Sequence, residues 1–270
     1  MAKHSLGKGE SVSPILTGGS MKIITLNVWG GRIYKPLLEF IQRHKDVDIF
    51  CFQEMYHDAE GKEPNEKWKN EGALHLLTDI EKLLPEHKIF FRPHFDDFWG
   101  LSLFVKNSLP ILEEGELFIH KHKGYVSKEN EDFLPKNLQY LKTRYNDRDI
   151  TIINVHGLWN GQGKTDTEDR IDQSKKIIDF AKNISHDFVL CGDFNLLPET
   201  QSLRMIEKEL GLRNLIVEYS VSSTRTSIYK KPVKFADYIF VTPNIHVSGF
   251  KVLPDEVSDH AALFLEIGLK

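Results

Sequence analysis

Cysteine is scarce in this chain of 270 residues: Cys51 and Cys191 are its two. Each lies inside an apolar run and reads as a buried free thiol, so a disulfide framework is excluded. Neither has a ligand-spaced partner and no His-Glu-x-x-His stretch occurs, which removes structural and protease-type zinc. An excess of one charge is also missing. Lys and Arg number 35 against 39 Asp and Glu, a formal net charge of −4. That argues against a protein gripping nucleic acid by broad charge neutralisation, while leaving room for a local basic groove. No apolar run approaches a membrane span, and no amphipathic anchor is seen. There is no Gly-x-x-x-x-Gly-Lys-Ser/Thr loop and no Gly-x-Ser-x-Gly elbow, so P-loop NTPases and serine hydrolases of that type drop out. No fixed-period repeat, low-complexity tract or internal linker divides the chain.

What is present is a globular composition, 40% hydrophobic and 27% charged, enough for one large domain. Residues 1–20 are Gly/Ser-rich and unpatterned, and end in Gly18-Gly19-Ser20 before Met21. They are expected to be an expression leader or a disordered tail, with the domain running over 21–270. Without a signal peptide and with two free thiols, the protein is expected in the cytoplasm, as a monomer.

Short β-rich runs dominate. Strands are expected at Lys22–Val28, Asp48–Phe52, Lys88–Arg92, Gly100–Lys106, Ile111–Ile119, Leu138–Tyr145, Ile150–Val155, Phe188–Cys191, Phe235–Val241, Val247–Leu253 and Ala261–Ile267. Helical spacing appears at Pro36–His44, Leu74–Leu84, Glu168–Ile184 (Ile171, Ile177, Ile178 and Phe180 inward) and Pro198–Leu210. The first two strands and their helix suggest a crossover unit. Residues 57–72, 120–137, 158–167 and 220–231 read as loops. Two mixed sheets packed face to face, with helices outside, fit this order better than one parallel sheet.

Polar residues recur where these runs end: Asn27, Glu54, His156, Asp193 with Asn195, and Asp259 with His260, while Asp237 lies in an apolar strand. Singly, each is an ordinary turn, surface or core residue. Together they place chemistry after nearly every apolar run. Carboxylates and amides are hard oxygen donors that suit Mg²⁺ or Mn²⁺. The histidines and the remaining Asp suit acid–base work and phosphate contact.

The segments Thr25-Leu26-Asn27-Val28-Trp29, Phe52-Gln53-Glu54, Asn154-Val155-His156-Gly157, Gly192-Asp193-Phe194-Asn195, Asp237-Tyr238-Ile239-Phe240 and Ser258-Asp259-His260 resemble, in order, those of the endonuclease/exonuclease/phosphatase (DNase I-like) superfamily. Gly157 departs from the commoner apolar residue. The resemblance implies a four-layer α/β sandwich: two central sheets flanked by helices, with the site at one edge of both. It implies Glu54 as main metal ligand, helped by Asn27 and Asp259. Asp193 would orient or deprotonate the attacking water, Asn195 and His156 would hold the scissile phosphate, and Asp237 would pair with a histidine. His260 would contact a phosphoryl oxygen or move a proton.

Substrate is left to the loops. Candidate contacts are Trp29, Trp68, Trp99 and Trp159, Lys164, and a basic cluster of Arg225, Lys230, Lys231 and Lys234. A Mg²⁺- or Mn²⁺-dependent phosphodiesterase or nuclease, acting on nucleic acid or nucleotides, is the leading expectation. A phosphatase or phospholipid-headgroup hydrolase on a small or membrane-borne phosphoester is the alternative. A catalytically silent binding member of the same fold is the third.

Overall fold

The β-branched and aromatic runs form twelve strands in the computed structural model, which describes residues 19–62, 72–125 and 134–268. In chain order these are β1 Met21–Asn27, β2 Ile49–Tyr56, β3 His87–Phe95, β4 Trp99–Lys106, β5 Ile111–His120, β6 Lys136–Tyr145, β7 Arg148–His156, β8 Asp187–Asp193, β9 Arg213–Asn214, β10 Asp237–Val241, β11 His246–Val252 and β12 Leu263–Gly268. The helices are α1 Tyr34–Arg43, α2 Leu76–Leu83, α3 Glu168–Ala181, α4 Gln201–Leu210 and the short α5 Leu215–Glu218, with one 3-10 turn at Trp29–Gly31. The strands assort into two six-stranded sheets, ordered β11-β12-β1-β2-β4-β3 and β5-β6-β7-β8-β10-β9.

Alternation along each strand builds the layers. In β2, Ile49 and Cys51 join the cluster shared with the second sheet, whose members include Ile152 and Val189. Their neighbours Phe50 and Phe52 pack outward with Leu37, Phe40 and Ile41 of α1 and Leu76 and Ile80 of α2. On the other flank, α3 and α4 contribute Ile177, Ile178, Leu203 and Ile206. The expected two mixed sheets flanked by helices are what the chain forms.

The parallel pairs β1–β2 and β7–β8 lie inside their sheets, crossed over by α1 and α3. Parallel pairing brings C-terminal strand ends to one edge, where such folds bind ligands. Behind that edge the sheets meet through polar groups: Gln53 Nε2 donates to Asn154 Oδ1 at 2.7 Å and Asn154 Nδ2 to Phe52 O at 3.1 Å.

Several boundaries differ from the sequence expectation. α4 starts at Gln201 rather than Pro198, because Asp166 accepts from the Gln201 and Ser202 N–H groups at 2.7 and 2.9 Å and caps the helix there. β10 starts at Asp237, so that residue opens its strand rather than lying within it. In α3 the inward face is Arg170, Gln173, Ser174, Ile177, Ile178 and Ala181, with Ile171 only half-buried. The stretch 120–137, expected to be irregular, includes the start of β6 at Lys136. Residues 1–18, Trp68 and most of the 57–72 loop lie outside the described residues. Among the described residues no helix is long and apolar enough to cross a membrane.

Candidate active site

Six separate segments deliver the polar residues to one edge. Asn27 ends β1 opposite Gln53 of β2. His156 ends β7 opposite Asp193 of β8, and Asp237 of β10 faces Asp193 from the other side. His260 forms an isolated antiparallel bridge with Arg225. Glu54 arrives by a bulge: the register of β2 against β4 slips between Phe52 and Met55, and Glu54 takes φ 57°. A bulge re-aims a side chain, so Glu54 turns towards Asn27 of the neighbouring strand.

Two glycines let the backbones close. Gly192 has φ 131°, and a Cβ there would lie 2.1 Å from Val155 O. A Cβ on Gly157 would lie 2.4 Å from Phe194 O, and Gly157 N donates to Asp193 O at 2.6 Å. The apolar side chain commoner at position 157 has no room in this chain.

Asp193 is 1% exposed and held at both oxygens. Oδ1 accepts from Asn195 N at 2.8 Å, and Oδ2 from Asn27 Nδ2 at 3.0 Å. Asn27 Nδ2 also donates to Glu54 Oε1 at 2.9 Å, while its Oδ1 accepts from Trp29 N at 2.9 Å. In this arrangement Asn27 Nδ2 bridges the Glu54 and Asp193 carboxylates. His156 Nε2 lies 3.6 Å from Glu54 Oε1 and 4.0 Å from Asp193 Oδ2. Asp237 meets His260 Nδ1 at 2.8 and 2.9 Å, which aims His260 Nε2 at Asp193 Oδ2, 3.7 Å away, and Asp259 Oδ1, 3.8 Å away. Ser258 Oγ, bonded to Asn27 O at 2.7 Å, accepts from His260 N at 3.2 Å and so ties the last loop to β1.

Burial sets the protonation states. It holds His156 well below the usual imidazole range, with Lys136 adding to the effect. It pushes His260 down to about 3 and Asp237 up to about 7. Burial also raises Glu54, whose proton is further favoured by Asp259 and Asp193 nearby.

Cations line the same pocket. Lys164 Nζ donates to Asn195 Oδ1 at 2.5 Å, and Arg225 Nη1 to Asp259 Oδ2 at 2.9 Å. Lys136 lies 3.4 Å from His156 Nδ1. The alternation of β6 carries the signal for Lys136, which shares the face of buried Leu138 two residues on. The charged run before it masks that signal. Trp29, Trp99, Trp159 and Tyr229 form the walls. The basic cluster divides: Arg225 and Lys231 line the pocket, while Lys230 turns to Ser227 O at 2.8 Å.

The donor set fits a hard divalent cation. Glu54, His156 and Asp193 offer ligand atoms within 4.8 Å of one another, as do Asp193, Asp237 and His260. Asp259 Oδ1 is buried without a hydrogen-bond partner, and no thiolate takes part. Crowded carboxylates are the surroundings such an ion relieves.

No curated protein matches the chain by sequence. Solved structures do. An endonuclease/exonuclease/phosphatase family protein from Bacteroides thetaiotaomicron superposes with TM-score 0.72 at 20% identity, over 93% of this chain and 98% of that one. A mannosyl-6-phosphatase from the same organism gives 0.69 at 19%, over 92% and 100%. The human Nocturnin catalytic domain with a bound sulfate gives 0.63 at 16%, over 93% and 95%. At these identities the likeness shows the fold. The family model described as "Endonuclease/Exonuclease/phosphatase family" matches residues 24–260, and the chain belongs to that family of phosphoester hydrolases.

Proposed function

We propose that this chain hydrolyses a phosphoester by attack of water at phosphorus, dependent on Mg²⁺ or Mn²⁺. The observation that carries this is the meeting of Glu54, His156, Asp193 and the Asp237–His260 pair, each within 4.0 Å of the next, at one sheet edge. Glu54 and Asp259 would hold the ion, with Asn27 steadying Glu54. A divalent cation bound there supplies positive charge against the phosphoryl oxygens.

The side chains supply the rest. Asp193, fixed at both oxygens, orients the water and takes its proton. The water oxygen bonds to phosphorus, the ester P–O bond breaks, and the departing alkoxide takes up a proton from bulk water to leave as the alcohol, while Asp193 returns its proton to solvent. Asp237 fixes the imidazole of His260, so that Nε2 faces the phosphoryl group. His156 and the free amide hydrogen of Asn195 contact the same group. Preorganised donors of this kind act strongly in a dry site.

The test uses Asp193→Asn and His260→Ala, assayed with each ion on mono- and diesters. Each is expected to lose about 10²–10³ in turnover. Near-normal metal-dependent hydrolysis by both would defeat the mechanism. Wild type inert on every ester with either ion would favour a binding role for the fold.

A further inference from the structure

Two buried lysines, Lys136 and Lys164, line the pocket beside the carboxylate cluster. Lys136 and Lys164 are only 4% and 3% exposed, and among the described residues neither makes an ion pair with a carboxylate. Lys136 Nζ rests on the His156 ring nitrogens at 3.4 and 3.5 Å and on the Trp99 face at 4.8 Å. Lys164 Nζ has Asn195 Oδ1 and, at 5.6 Å, the Trp159 face. An aromatic face holds a cation without neutralising it. A buried ammonium is costly unless an anion joins it. Arg225 has Asp259 and the Tyr229 face, yet its Nε is buried without a partner. All three cations open onto one cavity of about 270 Å³.

We propose that this cavity selects the terminal phosphate dianion of a small molecule, a phosphomonoester, with Lys136 and Lys164 as the specificity-determining pair. This rests on the hydrolytic function above and replaces the diester expectation drawn from the sequence. A diester phosphate carries one negative charge, whereas a monoester carries about 1.5 to 2 at neutral pH. Two buried ammonium groups without carboxylate partners match the second. The cavity, about 270 Å³, is small, just below the usual range for small-molecule sites of about 300–1,000 Å³. A nucleic-acid strand instead needs cations spread along its backbone. Hydrolysis would yield inorganic phosphate and an alcohol, the water oxygen remaining on phosphorus.

The experiment compares kcat/KM for p-nitrophenyl phosphate and bis-p-nitrophenyl phosphate in wild type, Lys136→Met and Lys164→Met, and measures inorganic phosphate binding by calorimetry at pH 7, below the value of about 8 to which burial lowers both lysines. The monoester should be preferred by wild type. Each variant should lose about ten- to a hundredfold on the monoester, as expected for a charged hydrogen bond, and much less on the diester. Phosphate affinity should fall in step. Turnover of a hexose 6-phosphate or of a nucleoside 5′-monophosphate assigns the source of the dianion, and either supports the proposal. A wild-type preference for the diester, equal losses on both esters, or unchanged phosphate binding would overturn it. If neither ester turns over but phosphate binding still depends on both lysines, the pair binds the dianion and hydrolysis is what fails.

Discussion

Arg170 is fully buried, and its guanidinium reaches neither solvent nor, among the described residues, a carboxylate within 4 Å. It donates instead to three carbonyls: Leu158 O at 3.3 Å from both Nε and Nη2, Gly163 O at 2.7 Å and Thr165 O at 2.6 Å. Gln173 Oε1, one turn along α3, accepts from Leu158 N at 2.8 Å. These bonds shape the loop over residues 158–167, which carries Trp159 and Lys164 into the pocket. Arg170→Met keeps most of the aliphatic bulk and removes every donor. Charged hydrogen bonds contribute about 1.5–3 kcal/mol each, and relief of guanidinium desolvation offsets several kcal/mol. The net expected loss is about 2–4 kcal/mol. In a domain of this size that lowers Tm by about 4–16 °C.

The kinetic signature is more discriminating. Asp193 is held by Asn27 and Asn195 rather than by this loop, so the reacting geometry stays in place while Lys164 loosens. KM for the phosphoester should rise about tenfold with kcat changed less, on the scale of one weakened charged hydrogen bond. Calorimetric or fluorescence melts and steady-state kinetics check both. An unshifted Tm, or a collapse of kcat at constant KM, would refute the assignment of Arg170 as the loop's anchor.

Glu54→Gln should weaken Mg²⁺ or Mn²⁺ binding, read by calorimetry, at least about tenfold, by analogy with the 10–100-fold cost of disturbing groups that support a metal site; binding unchanged would move the ion elsewhere. Asp237→Asn removes the carboxylate that orients His260, and should lower kcat by about 10²–10⁴ with little change in KM; full kcat would show that the pair is structural. His120 is held down to about 4, chiefly by burial. A depressed base binds its proton more readily in the unfolded chain, so its stabilising contribution is complete above about 6.5 and is lost as pH falls towards 4. His120→Gln should therefore show a shallower fall in Tm between pH 7 and 4 than wild type; parallel curves would contradict the shift.

The strand pattern was legible because burial on both faces leaves continuous apolar runs. Ile49-Phe50-Cys51-Phe52 packs alternately against the opposite sheet and the outer helices. The site residues were legible by position, since they end those runs. Their partners were less so. Glu54 aims correctly only through a bulge whose φ of 57° no local residue pattern announces. Arg170 lies among charged residues at the start of α3, where the helical period alone favours Ile171 as the inward residue; what draws Arg170 in is a set of loop carbonyls contributed by a segment with no regular structure of its own. The short β9 and α5 fall at Arg213–Glu218, too few residues for either period to register.

The same asymmetry explains why the sequence pointed to the reaction sooner than to its substrate. A residue type states what a side chain can do, and Asp193, His156 and His260 are informative on that ground alone. Selectivity turns on what a side chain does without. Lys136 and Lys164 matter because burial denies them water while no carboxylate pairs with them among the described residues, and a missing partner is a property of packed space. In a chain with Lys and Arg at 35 against 39 Asp and Glu, two ammonium groups that meet carboxylates only across the pocket, not in an ion pair, are invisible in the net charge. In the pocket lining they set which phosphate the carboxylates beside them would meet.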